Sequence, residues 1–161
     1  MNTIKCLVVD DEPLAMQQLA SYVGKVPFLR LVGQCLSAEA ARSVIDTENV
    51  DAMFIDINMP DLNGLDFVRS LAAPPLVVFT TAYSEYAVEG FRLDAVDYLL
   101  KPFGLDEFNH AALKVKHQFE LERRVTVQSV LDDTIFFKAE HKVVRVHMND
   151  IRYVEGMSEY L

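Results

Sequence analysis

Four short apolar runs in this chain each stop at a side chain able to handle phosphate or a metal ion. Leu7-Val8-Val9 stops at Asp10-Asp11-Glu12, Met53-Phe54-Ile55 at Asp56, Val77-Val78-Phe79 at Thr80-Thr81, and Tyr98-Leu99-Leu100 at Lys101-Pro102. Unbroken apolar runs of that length, alternating with helix-like stretches, read as parallel strands buried on both faces. The carboxyl ends of such strands share one edge of an open α/β sheet, where ligands bind. Three acids, a hydroxyl and an ammonium would then converge on one crevice.

Over residues 4–104 strand and helix alternate five times. Pro13 suits a first helical turn, with Asp11 or Glu12 ahead of it as cap, and Leu14, Leu19, Tyr22 and Val23 supply an apolar face. A second strand fits 29–36, and Ser37 caps a helix through 48. The third strand, 52–55, leads into Asn58-Met59-Pro60-Asp61-Leu62-Asn63-Gly64, a loop rich in turn formers. A helix carrying Leu65, Val68, Arg69 and Leu71 is stopped by Pro74-Pro75. Strand 76–80, helix 84–92 and strand 96–100 follow. Short loops and right-handed crossovers make this a doubly wound parallel sheet.

The last helix carries Leu105, Phe108, Ala112, Val115 and Phe119 on one stripe. Ending at Arg124 it would be about 30 Å long, so its charged end (Glu120, Glu122, Arg123, Arg124) is expected to project as a connector. Residues 125–133 read as a linker. Beyond them, Ile135-Phe136-Phe137-Lys138 and the alternating Val143-Val144-Arg145-Val146-His147-Met148 form a hairpin turned by 139–142, and 151–154 a further short strand. A lone hairpin is marginal in water, so 134–161 packs on the first domain, pairs with another chain or begins a larger module.

The net charge of −9, from 15 basic and 24 acidic residues, argues against an exposed nucleic-acid-binding surface. No run approaches a membrane span or a signal-peptide core, which gives a cytoplasmic location by default. Cys6 and Cys35 lie in apolar runs without metal-ligand spacing and read as reduced, buried thiols.

Clustered carboxylates about 4 Å apart repel by roughly 4 kcal/mol at an effective dielectric of 20, so Asp10, Asp11 and Asp56 call for a cation. An all-oxygen set with room for water and phosphate suits Mg2+ better than Zn2+. A carboxylate beside that cation can take a phosphoryl group. Asp56, the sole acid at the end of the central strand, is the best nucleophile, with Lys101 and Thr81 available to phosphoryl oxygens.

These residues resemble those of bacterial two-component response regulators. Leu7-Val8-Val9-Asp10-Asp11-Glu12-Pro13, Ile55-Asp56-Ile57-Asn58-Met59-Pro60, Thr81-Ala82 and Asp97-Tyr98-Leu99-Leu100-Lys101-Pro102 carry the likeness to receiver domains over about 3–120. Thr80-Thr81-Ala82-Tyr83 with Glu85-Tyr86-Ala87 and Phe91 is similar to receivers joined to LytTR-type DNA-binding domains. Residues 134–161, above all Asp150-Ile151-Arg152-Tyr153-Val154-Glu155, resemble the opening strands of that domain. The resemblance implies a flavodoxin-like receiver over 1–124 with strand order 2-1-3-4-5, a linker at 125–133, and a fragment of a LytTR-type domain at 134–161. It implies Asp56 as phosphoacceptor; Asp10, Asp11, Asp56 and the Asn58 backbone carbonyl around Mg2+; Thr81 and Lys101 following the phosphoryl group; Tyr98 as switch; and Lys101-Pro102 at a position often cis.

Further implications are a sensor histidine kinase as donor and a homodimer on phosphorylation, formed partly by Tyr86, Phe91, Arg92 and Phe119. DNA would be reached only through the remainder of the C-terminal module, and the chain is not expected to be a conventional enzyme. Other classes fit less well. A haloacid-dehalogenase-type phosphatase has its nucleophile in a paired-acid motif on the first strand, whereas Asp56-Ile57-Asn58 lacks the second acid and follows the third. A dinucleotide module needs a glycine-rich first turn where this chain has Asp10-Asp11-Glu12-Pro13. A binding scaffold that never turns over phosphate is the remaining alternative. Asp61, Asp66, Asp94 and Asp97 read as solvated or capping acids, and His110, His117, His141 and His147 as surface residues.

Overall fold

Strand β1 (Ile4–Val9) lies between β2 (Leu29–Cys35) and β3 (Ala52–Asp56), and β4 (Leu76–Thr81) and β5 (Asp97–Leu100) follow outward from β3. All neighbours pair in parallel, so the strand order is 2-1-3-4-5 as expected. The structure is a computed structural model that describes residues 3–83, 94–132, 135–139 and 142–146, with side chains over 3–83 and 94–123. The helix expected over 84–92, with Tyr86, Phe91 and Arg92, and the strand expected over 151–154 lie outside the described residues.

Helices cover both faces because the side chains of a strand alternate. On one face, α1 (Pro13–Gly24) and α4 (Leu105–Asp132) bring Leu19, Val23, Phe108, Ala111, Ala112 and Val115 against Ile4, Cys6, Val8, Phe54, Val78 and Leu99. On the other, α2 (Ala38–Thr47) and α3 (Gly64–Ser70) bring Ala38, Ala41, Leu65, Phe67 and Val68 against Leu7, Val9, Met53, Ile55, Val77 and Phe79. Phe108 anchors the first layer, its ring 4.9 Å from that of Phe54 and 5.5 Å from that of Tyr22. Truncating such a buried ring to Ala costs about 3–5 kcal/mol. Cys6 and Cys35 sit in opposite layers, so they do not form a bridge. Burial pushes the Cys6 thiol up to about 12, which keeps it protonated and inert.

Three local readings change. Leu14 is 80% exposed rather than part of the buried face of α1. Five residues before Leu19 it sits off the stripe, and Met16 and Ala20 pack against that layer with Leu19 and Val23 instead. The pairing of β1 with β2 slips at Cys6/Leu7, a bulge that no apolar pattern signals. Gly33 lies at this slip, where a Cβ would stand 2.8 Å from the Leu7 side chain. Finally, α4 does not end near Arg124 but runs to Asp132, through most of the stretch read as a linker. No Gly or Pro occurs between 105 and 132 to stop it. Beyond it, β6 (Ile135–Ala139) and β7 (Lys142–Val146) pair antiparallel, the hairpin expected there.

Candidate functional site

The strand ends converge as the sequence predicts. Asp10 continues the ladder past β1, its N–H donating to the Cys35 carbonyl at 3.0 Å, and it is fully buried. One of its carboxylate oxygens accepts from the Glu12 N–H at 3.0 Å, which shapes the turn into α1, where Glu12 itself makes no side-chain cap. The other accepts from the Lys101 ammonium at 2.8 Å. Asp56 ends β3 and is 5% exposed, with Lys101 Nζ 3.6 Å from its Oδ1. Carboxylate oxygens of Asp10, Asp11 and Asp56 all lie within 4.8 Å of one another.

The charges of this cluster do not balance. Three carboxylates against one ammonium leave an excess of two negative charges when all are ionised. Burial raises the Asp56 carboxyl from 3.8 to about 6; the Lys101 charge opposes the rise, and the Asp10 charge adds to it. Burial would lower Lys101, but its hydrogen bond to Asp10 and the Asp56, Asp10 and Glu12 charges outweigh this and hold the ammonium above its ordinary value. An oxygen-only donor set with a double negative excess fits one hard divalent cation such as Mg2+.

The loop after β3 is fixed from three sides. The Ile57 N–H donates to the Thr80 carbonyl at 2.9 Å, and the Gly64 N–H returns to the Ile57 carbonyl at 2.7 Å. Gly64 is required by close approach, since a Cβ there would stand 2.4 Å from the Asp56 carbonyl oxygen. Asp61 reaches across to α2, its carboxylate accepting from the Ala38 N–H at 3.3 Å and the Glu39 N–H at 3.2 Å. Ser37 Oγ takes the Ala40 N–H at 3.1 Å, so the first turn of α2 is satisfied jointly by its own cap and by the loop beside Asp56.

Thr81, fully buried, ends β4; its Oγ1 accepts from Asn58 Nδ2 at 3.4 Å and from the Tyr83 N–H at 3.2 Å. The Tyr98 hydroxyl donates to the carbonyl of the same Tyr83. Both hydroxyls named from the sequence thus meet at Tyr83, which the sequence motif includes without a role of its own. The Lys101-Pro102 peptide is cis. Phe119 is half-buried beneath the first layer with the Arg123 guanidinium 5.6 Å from its ring centre, while among the described residues the large apolar side chains exposed on β5 and α4 are Leu100 and Leu113. The sequence places Gly64 in a turn-rich loop but carries no signal for its close approach to the Asp56 carbonyl.

A family model described as the response regulator receiver domain matches residues 6–113. The sensory transduction protein LytR of Staphylococcus haemolyticus is 32% identical over 94% of this chain and 63% of its own length. The sensory transduction protein LytT of Bacillus anthracis is 31% identical over 94% of this chain and 65% of its own length. This chain thus spans somewhat less than two thirds of either relative. Among solved structures, the response regulatory domain of protein mrkE from Klebsiella pneumoniae superposes with a TM-score of 0.67 at 33% identity, covering 73% of this chain and 99% of that one. A response regulator, TrrA, from Thermotoga maritima, solved in complex with Mg2+-BeF, superposes with a TM-score of 0.61 at 27% identity, covering 70% and 99%.

Proposed function

The chain belongs to the response regulator receiver domain family of two-component systems, and on that premise we propose that Asp56 accepts a phosphoryl group from a sensor histidine kinase in the cytoplasm. The observation that carries this reading is the buried Asp56 carboxylate, grouped within 4.8 Å of the Asp10 and Asp11 carboxylates and 3.6 Å from Lys101 Nζ. Receiver domains are not conventional enzymes, and here the chemistry is confined to the protein's own side chain.

In the transfer, a carboxylate oxygen of Asp56 forms a bond to phosphorus as the donor's bond to phosphorus breaks, the electron pair leaving with the donor. A carboxyl raised to about 6 is mostly ionised at neutral pH and remains a competent nucleophile. Asp10, Asp11, Asp56 and the Asn58 backbone carbonyl would hold Mg2+, which when bound neutralises charge on the transferring oxygens. Lys101, already between Asp10 and Asp56, supplies a fixed positive charge to the phosphoryl group. Thr81 reaches that group by giving up its bonds with Asn58 and Tyr83. Tyr83 is also tied through its carbonyl to the Tyr98 hydroxyl, so this loss passes a local charge change along that segment toward Tyr98 and the surface.

The output of the longer protein follows as part of the same reading. Phosphorylation shifts the chain toward a homodimer through Tyr86, Phe91, Arg92 and the Phe119 end of α4. Residues 1–124 form the receiver, and 134–161 begin a LytTR-type DNA-binding domain that acts on transcription. By themselves these 161 residues bind no specific DNA sequence, because 134–161 balance Lys138, Lys142, Arg145 and Arg152 against Glu140, Asp150, Glu155 and Glu159. The test is intact mass after mixing with Mg2+ and acetyl phosphate. One added phosphoryl group, absent in Asp56→Asn, is expected; a label retained in that variant or found on His110 overturns the assignment. A gel shift at low salt showing a saturable, sequence-dependent complex overturns the DNA statement.

A further inference from the structure

Thr80 is aligned with Asp56 across the parallel pairing of β3 and β4. Paired strands lie about 4.8 Å apart, and residues in register project to the same face of the sheet. Alternation along β4 therefore sets Thr80 on the Phe54 and Val78 face, beside Asp56, and Thr81 on the other. Thr80 is fully buried, and its Oγ1 has no hydrogen-bond partner among the described residues. The Thr81 hydroxyl, by contrast, is held from two sides. A buried orphan hydroxyl is a rare and unfavourable feature that calls for a reason.

The neighbouring carboxyl supplies one. When an aspartyl phosphate hydrolyses, water forms a bond to phosphorus and the P–O bond to Asp56 breaks. The electron pair returns to the carboxyl, and the water proton leaves with the phosphate or solvent. Negative charge therefore grows on the carboxyl during the step. A hydroxyl donor to its non-bridging oxygen binds the carboxylate more strongly than the acyl carbonyl, and so speeds departure. We propose that Thr80 is a further positioning residue of the phosphoryl site, its hydroxyl donating to the Asp56 carboxyl as phosphate leaves and so limiting the lifetime of the signal. This rests on Asp56 being the phosphoacceptor.

The experiment loads the full 161-residue chain with acetyl phosphate and Mg2+, removes the donor, and follows loss of the phosphoryl group by intact mass. Thr80→Val, nearly isosteric, is expected to lengthen the lifetime roughly three- to tenfold, the range of one ordinary intramolecular hydrogen bond. Thr80→Ser should restore the wild-type rate, and the acyl carbonyl stretch should rise in Thr80→Val alone. Without phosphate, Thr80→Val should melt no lower than wild type, because it removes an unpaired polar atom. An unchanged or shorter lifetime in Thr80→Val overturns the proposal while leaving Asp56 as acceptor; so does a Ser variant that behaves like Val, which would assign the effect to packing. Failure of the wild type to take up phosphate overturns the acceptor assignment itself.

Discussion

Replacing Asp56 by Asn should make the metal-free protein more stable at neutral pH while abolishing phosphate uptake. The folded state holds the Asp56 proton up to about pH 6, the unfolded chain only to the ordinary 3.8. A carboxyl raised in this way favours folding below the unfolded value and loses that contribution as pH climbs through the folded one. At about 1.36 kcal/mol per pH unit, the interval amounts to about 3 kcal/mol, a large part of the 5–15 kcal/mol that holds a typical domain together. Asn mimics the neutral acid and escapes the loss. Urea unfolding in chelator should therefore give near-equal stabilities around pH 4, a gap that opens between pH 4 and 6, and a constant advantage for Asn above it. Adding Mg2+ should close the gap by stabilising only the wild type. An Asn variant no more stable than wild type at pH 7.5, or a gap independent of pH, would refute the claim that burial of this charge sets its energetics.

Three further outcomes are expected. Asp11→Ala should weaken Mg2+ binding, read by calorimetry, and slow phosphorylation in parallel; unchanged kinetics would remove Asp11 from the metal set. Gly64→Ala must move the loop off the Asp56 carbonyl, costing roughly 1–3 kcal/mol in denaturant unfolding and slowing phosphorylation, whereas wild-type values would mean the loop has slack. In sedimentation, a phosphoryl mimic should shift the chain from monomer toward dimer, and identical profiles at high concentration would count against the switch.

The sheet was legible because its strands are buried on both faces and read as unbroken apolar runs, each closed by a polar residue. The same punctuation located Asp10, Asp56, Thr81 and Lys101 at strand ends. Contacts between distant segments were not legible. Asp61 caps a helix 23 residues earlier in the chain, and nothing in its neighbours separates that role from a solvated acid. Thr80 and Thr81 are the same residue type, and only the hydrogen bonds of the folded chain show that one is held and the other orphaned. Leu14 was misplaced because apolar character was counted without helical angle. The helix α4 continues past Arg124 to Asp132 because no Gly or Pro there breaks it, and the charged residues beside Arg124 mark no terminus.

Lys101 lies 91 residues along the chain from Asp10, to which it donates. During synthesis the two buried acids are made long before their counter-charge, so the pocket cannot be neutralised from within until the fifth strand has emerged and paired. Chemical competence is thereby linked to completion of the sheet. A nascent or clipped chain ending before residue 101 would carry the nucleophile without the cation that steadies it, and would give no false signal.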